Sequence, residues 1–195
     1  MRYRWLALIL LGSLWFSATA AVIAPPPGLA AQFTASPCPF RVPAGLHITC
    51  GYLSVPEDRG ATKGHLIRLA VVIAHTARAP HQADPVVYLA GGPGSGAVAS
   101  TPALALGWAD FLAHRDLIVV DQRGTGFSQP SLACTAQDRT TPALGELQTP
   151  GGRAAAEYRD LIRCRDRLTM AGVRLVAYTT AANARDLRDL RIALG

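Results

Sequence analysis

Pro85-Val86-Val87-Tyr88-Leu89-Ala90 runs directly into Gly91-Gly92-Pro93-Gly94-Ser95-Gly96, and the reading of this stretch decides the fold. A short apolar run without alternation is the pattern of a strand covered on both faces. Glycines placed directly after such a strand lie at the carboxyl end of a sheet, where open α/β folds bind their ligands. Working outward, residues 46–55 and 66–74 read as strands, and Pro56-Glu57-Asp58-Arg59-Gly60 between them makes a hairpin. Downstream, residues 104–113 suit a helix, and residues 116–121 (DLIVVD) suit a second buried strand. Residues 129–152, rich in Pro, Gly and Thr, read as a long excursion. Residues 153–168 form a helical pattern with Leu161, Cys164 and Leu168 on one face, and Gly172 marks its end. A last helix is expected over residues 182–194, with Leu187, Leu190 and Leu194 at three- and four-residue steps. The order implies an α/β domain with a mixed sheet, and no internal repeat is present.

Composition narrows the class. Half of the 195 residues are hydrophobic and 16% are charged, so the body is globular. Residues 1–24 read as a separate object. Arg2 and Arg4 precede the uncharged, mostly apolar run 5–16, and Ala18-Thr19-Ala20 supplies small residues for a signal peptidase. An uncleaved anchor is the alternative, because residues 5–24 are about long enough to span a bilayer; only then would a membrane be a partner. Either reading places the body outside the cytoplasm. Pro25-Pro26-Pro27-Gly28 opens an extended leader over residues 25–37, and the domain proper occupies residues 38–195. Cys38, Cys50, Cys134 and Cys164 lack CxxC spacing, and an even number in an exported chain suggests disulfides, with three connectivities open. No histidine stands beside a cysteine, so no metal is expected. The formal charge is +6, with Lys63 the only lysine. Arg153, Arg159, Arg163, Arg165 and Arg167 alternate with Glu157, Asp160 and Asp166, and spacings such as Asp160–Arg163 suggest a solvated, ion-paired helix face. A nucleic-acid surface would carry unopposed charge, and that partner class is set aside.

Three chemistries compete for the glycines. A phosphate loop needs Lys and Ser or Thr after the last glycine, but Ala97 and Val98 stand there. A dinucleotide fold is met formally by Gly92-Pro93-Gly94-Ser95-Gly96-Ala97, with Asp121 as a ribose-binding acid. Against it, strands already precede the glycines, and an exported protein meets little soluble NAD. The third reading is an oxyanion loop, whose glycines turn backbone amides toward a substrate carbonyl without a side chain in the way. One such donor contributes roughly 3 kcal/mol of transition-state stabilisation. This reading needs no cofactor.

The ordered set of motifs resembles one family. Leu89-Ala90-Gly91-Gly92-Pro93-Gly94, followed about thirty residues later by Asp121-Gln122-Arg123-Gly124-Thr125-Gly126-Phe127-Ser128, is similar to the proline iminopeptidase and tripeptidyl aminopeptidase branch of the α/β-hydrolases. Cys50-Gly51-Tyr52-Leu53-Ser54-Val55-Pro56-Glu57-Asp58 resembles its opening strand, and residues 178–195 resemble the helix before its nucleophile elbow. Ala90 stands where many members carry histidine. The resemblance implies a mostly parallel α/β-hydrolase sheet and a peptide or small amide or ester substrate. It also implies an oxyanion loop at Gly91 and Gly92, and loops braced around the site by Asp121, Gln122 and Arg123, although Asp121 could simply cap its turn. Disulfides Cys38–Cys50 and Cys134–Cys164 are implied by the same resemblance.

The catalytic serine is harder to find. This fold needs Ser, Asp or Glu, and His in that order, with the serine in GxSxG. Gly126-Phe127-Ser128-Gln129-Pro130 comes closest, but proline replaces the last glycine. Ser95, Asp110 and His114 keep the order yet fall within twenty residues, before an elbow could be built. The reading therefore expects the front part of a secreted serine hydrolase, inactive alone, with its elbow, acid and base encoded beyond residue 195. An exported non-catalytic binding domain is the alternative.

Overall fold

The computed structural model describes residues 31–61, 64–142 and 145–195, and the expected signal segment lies outside them. A five-stranded sheet is built from β1 (Gln32–Ala35), β2 (His47–Pro56), β3 (Leu66–His75), β4 (Val86–Leu89) and β5 (Leu117–Val120). Its spatial order is β1-β2-β3-β5-β4. Part of the expected leader is thus a strand, with Phe33 opposite Leu53 of β2. The hairpin holds over its whole length, from His47 opposite His75 to Pro56 opposite Leu66. One expectation is corrected. β1–β2, β2–β3 and β3–β5 are antiparallel, and only β4–β5 is parallel. β2 returns on β3 as a hairpin, whereas the parallel pair β4–β5 requires a crossover, which is the segment carrying α1 (Thr101–Gly107); β5 thereby lands between β4 and β3 and runs antiparallel to β3.

The core is two-sided because β3 and β5 alternate. Ala70, Val72, Leu117 and Val119 pack with Val98 and Leu112 on one face. Leu69, Val71, Ile118 and Val120 pack with Leu53, Val55 and Leu190 on the other. All four residues of β5 are buried, as its unbroken apolar run requires. β4 has the same kind of sequence but alternates half-buried and exposed residues, with Val87 47% and Leu89 36% exposed. It is an edge strand, so the expected cover on both faces is not met among the described residues.

Helices depart from their expected limits for local reasons. α1 is shorter than the 104–113 pattern and begins earlier, with Pro102 in its first turn and a C-cap at Trp108. α2 (Pro150–Met170) starts at Thr149, whose side chain accepts from the Gly152 amide. Its buried residues are Ala156, Cys164 and Leu168, while Leu161 is 56% exposed. Asp160 does not pair with Arg163; it accepts from the Thr140 amide at 2.6 Å and the Thr140 hydroxyl at 2.7 Å. α3 (Thr180–Leu194) is capped by Thr179, which accepts from the Ala182 amide, and it lays Leu187 and Leu190 on the sheet. Disulfides join Cys38 to Cys50 and Cys134 to Cys164. The second ties the 129–149 excursion to α2.

Candidate active site

The glycine loop leaves the carboxyl end of β4, and residues 91–96 are all exposed. Gly92 has φ +142°, a conformation that side chains rarely adopt, and nothing lies within 4 Å of a Cβ built on Gly91. Among the described residues, no acceptor takes the amides of Gly91, Gly92 or Gly96, while residues 92–94 form a turn. The loop is therefore a cluster of free N–H groups on the open side of the sheet end.

Its base is held by Asp121, which is completely buried. Asp121 Oδ1 accepts from the amides of Ala97 at 2.5 Å and Val98 at 2.9 Å, and Oδ2 accepts from the Phe127 amide at 2.7 Å. One carboxylate thus joins the end of the glycine loop to the loop after β5. The approach is close enough to require glycine, because a Cβ on Gly126 would stand 2.0 Å from Asp121 Oδ2. With these amides around it, Asp121 offers nothing to a ribose, and the dinucleotide reading loses its acid. Gln122 Nε2 donates to the Ala90 carbonyl at 3.1 Å, fixing the residue just before Gly91.

Arg123 faces the other way. Its side chain is 0% exposed and pairs with Asp186 of α3 through Nε at 2.7 Å and Nη2 at 2.8 Å. It also donates to the carbonyls of Glu57 and Ala177 at 2.8 Å each and of Pro56 at 3.3 Å. These contacts use all five N–H groups of the guanidinium. Asp186 also binds Arg59, which reaches Asp189 at 2.8 Å. Burial works against the Arg59 charge, but its hydrogen bonds to Asp186 and Asp189 prevail and raise its pKa. Glu57 Oε1 accepts from the Arg174 amide and the Tyr178 hydroxyl, each at 3.0 Å. Burial, reinforced by the hydrogen bond to Glu57, pushes the Tyr178 pKa up. Sequence reading missed Glu57, Tyr178 and Asp186 as partners of this loop.

The serines divide clearly. Ser128 is 1% exposed, donates to the Asp121 carbonyl at 2.6 Å and accepts from the Ala70 amide at 3.0 Å, so it stitches the loop to β3. Ser95 is exposed within the glycine loop, and no histidine reaches it among the described residues. A base-orienting chain exists elsewhere: Asp116 Oδ2 contacts His75 Nδ1 at 2.8 Å, and His75 Nε2 contacts Thr49 Oγ1 at 2.9 Å. His81 Nε2 holds the other oxygen of Asp116 at 2.9 Å. That cluster precedes β5, whereas the glycines follow β4. Because Val86 pairs with Leu117 and Leu89 with Val120, the two sites lie at opposite ends of the strands. The cysteines are spent in disulfides; Cys134, Asp138 and Cys164 do converge, but Asp138 is engaged by Arg167 at 2.8 and 2.9 Å.

No protein-family model matches the chain. It is 32% identical over 160 residues to a tripeptidyl aminopeptidase of Streptomyces coelicolor, covering 76% of this chain and 28% of that protein. The tripeptidyl aminopeptidase of Streptomyces lividans is likewise 32% identical over 160 residues, covering 76% of this chain and 29% of its own length. Carboxylesterase B of Mycobacterium tuberculosis is 33% identical over 157 residues, covering 74% and 28%. The chain thus spans less than a third of the length of these relatives, and its similarity to them suggests a hydrolase.

Proposed function

We propose that this chain is the N-terminal part of a secreted serine hydrolase of the α/β-hydrolase fold, an aminopeptidase that releases N-terminal residues or short peptides. The observation that carries the reading is the group of unpaired amides at Gly91 and Gly92, fixed between Gln122 and Asp121 at the carboxyl end of a parallel strand pair. Donors preorganised in this way stabilise the oxyanion that develops when a serine attacks a carbonyl. The names of the relatives support peptide or ester substrates, and the two disulfides support an extracytoplasmic location. No cofactor enters this chemistry.

The nucleophile belongs on a further strand. α3 runs back along the sheet so that Thr180 and Asn183 stand near Leu89, while Leu194 and Gly195 stand near Pro85 and Val87. A strand entering beside Pro85 would run parallel to the open edge of β4 and end beside the glycine loop. A serine at that end would meet the free amides, with Gly91 and Gly92 as oxyanion donors and Asp121, Gln122 and Arg123 bracing the loops. The 195-residue chain is then expected to leave a fluorophosphonate unreacted; stoichiometric covalent labelling at any of its own serines would overturn the reading. The gene offers a second check, since its reading frame should continue past Gly195 into a GxSxG sequence.

A further inference from the structure

Among the described residues, three buried side-chain atoms lack a hydrogen-bond partner: Arg59 Nε, His114 Nδ1 and Asn183 Oδ1. The last has the most telling surroundings. Asn183 lies in the first turn of α3 and lines an apolar cavity of about 170 Å³ with Leu89, Val120 and Gln122, at the carboxyl ends of β4 and β5. An orphaned buried acceptor costs roughly 1–3 kcal/mol and calls for a donor. The cavity continues under Leu187 and Leu190 toward Val87, along the free edge of β4. That edge offers ladder groups to a strand, but a strand leaving the ladder at its carboxyl end turns N–H groups away from β4.

We infer that Asn183 is a positioning residue: its Oδ1 accepts a backbone N–H from the strand that adds to β4, at the end where that strand turns toward Gly91 and Gly92. The inference rests on the hydrolase reading above and deepens it by naming what orients the nucleophile-bearing turn. Gln122, which lines the same cavity, donates its Nε2 to the Ala90 carbonyl, and of the two amide side chains it is Asn183 whose oxygen is buried without a donor. The bond moves no proton in the reaction. It holds the turn in register with the oxyanion amides, where a small misplacement is costly in rate.

The test uses two proteins, this chain and the polypeptide extended through the GxSxG strand and the remainder of the hydrolase, each with Asn183→Leu and Asn183→Asp. In this chain the acceptor is unpaired, so Asn183→Leu should leave the melting temperature unchanged or raise it. In the extended protein the same substitution should slow fluorophosphonate labelling and kcat by about tenfold or more, with KM nearly unchanged. Asn183→Asp, which keeps an acceptor in place, should restore most of the rate. A destabilised Asn183→Leu in this chain, or wild-type labelling by the extended Asn183→Leu protein, would overturn the inference while leaving the hydrolase reading intact. An extended wild-type protein that does not label at all would overturn both.

Discussion

Asp121 illustrates what a single residue can do when every lone pair is assigned. Its two oxygens receive three amides from two loops, so Asp121→Asn must turn an NH2 toward at least one N–H. Urea unfolding should show a loss of about 1–3 kcal/mol, and the glycine loop should lose its order with it. Asp116 makes a pH-dependent case. Burial alone would raise its pKa, but hydrogen bonds from His81, the Thr76 amide and His75 outweigh burial and hold it below the ordinary carboxylate value. A carboxylate depressed in the folded state stabilises above its unfolded pKa, and that contribution is lost as pH falls through the folded pKa. Thermal melts of Asp116→Asn should therefore lie below wild type near neutrality and converge with it under acid. Neither role shows in the sequence. Asp121 and Asp116 flank the same strand and look alike there, and only their partners, distant along the chain, tell them apart.

At the scale of elements, two tethers hold the parts that the sheet does not. The Cys134–Cys164 disulfide closes a separation of 30 residues, which in the chain-entropy account contributes about 3–4 kcal/mol. Cys164→Ala, which leaves the Cys38–Cys50 disulfide intact, should leave the β-sheet signal in place while opening the 129–149 excursion to proteolysis. Beside that disulfide, the Arg167 guanidinium and the Thr135 amide hold the Asp138 pKa well below the usual range. The second tether is Arg123–Asp186, which fastens α3 to the loop after β5 and to the end of β2. Removing one member of a buried pair leaves the other charge without its counter-ion, so Asp186→Ala should cost about 3–5 kcal/mol. Hydrogen exchange should then rise across α3 first. Helix periodicity announced α3 and its leucine face, but not this pair, because residues 123 and 186 are 63 apart. The same periodicity misjudged Leu161: amphipathic spacing locates a face, not the width of the surface that covers it.

For the molecule as a whole, the distinguishing feature is the open edge of β4, with Val87 and Leu89 exposed over the groove beneath α3. Unpaired apolar edges invite association. The isolated chain is expected to self-associate, and lysines at both positions should reduce this in light scattering without unfolding β2 and β3. What the sequence determined by itself was the order of β2 to β5 and of the three helices, the hairpin and the place of the glycine loop, because these follow from local periodicity and turn chemistry, whereas β1 reads as part of the leader. The tertiary structure alone decided the mostly antiparallel sheet, the exposed face of β4, the engagement of Asp121 by three amides and the isolation of Asn183. Each of these depends on which distant segment supplies a neighbouring strand or a hydrogen-bond partner, and that information is not contained in any single stretch of the chain.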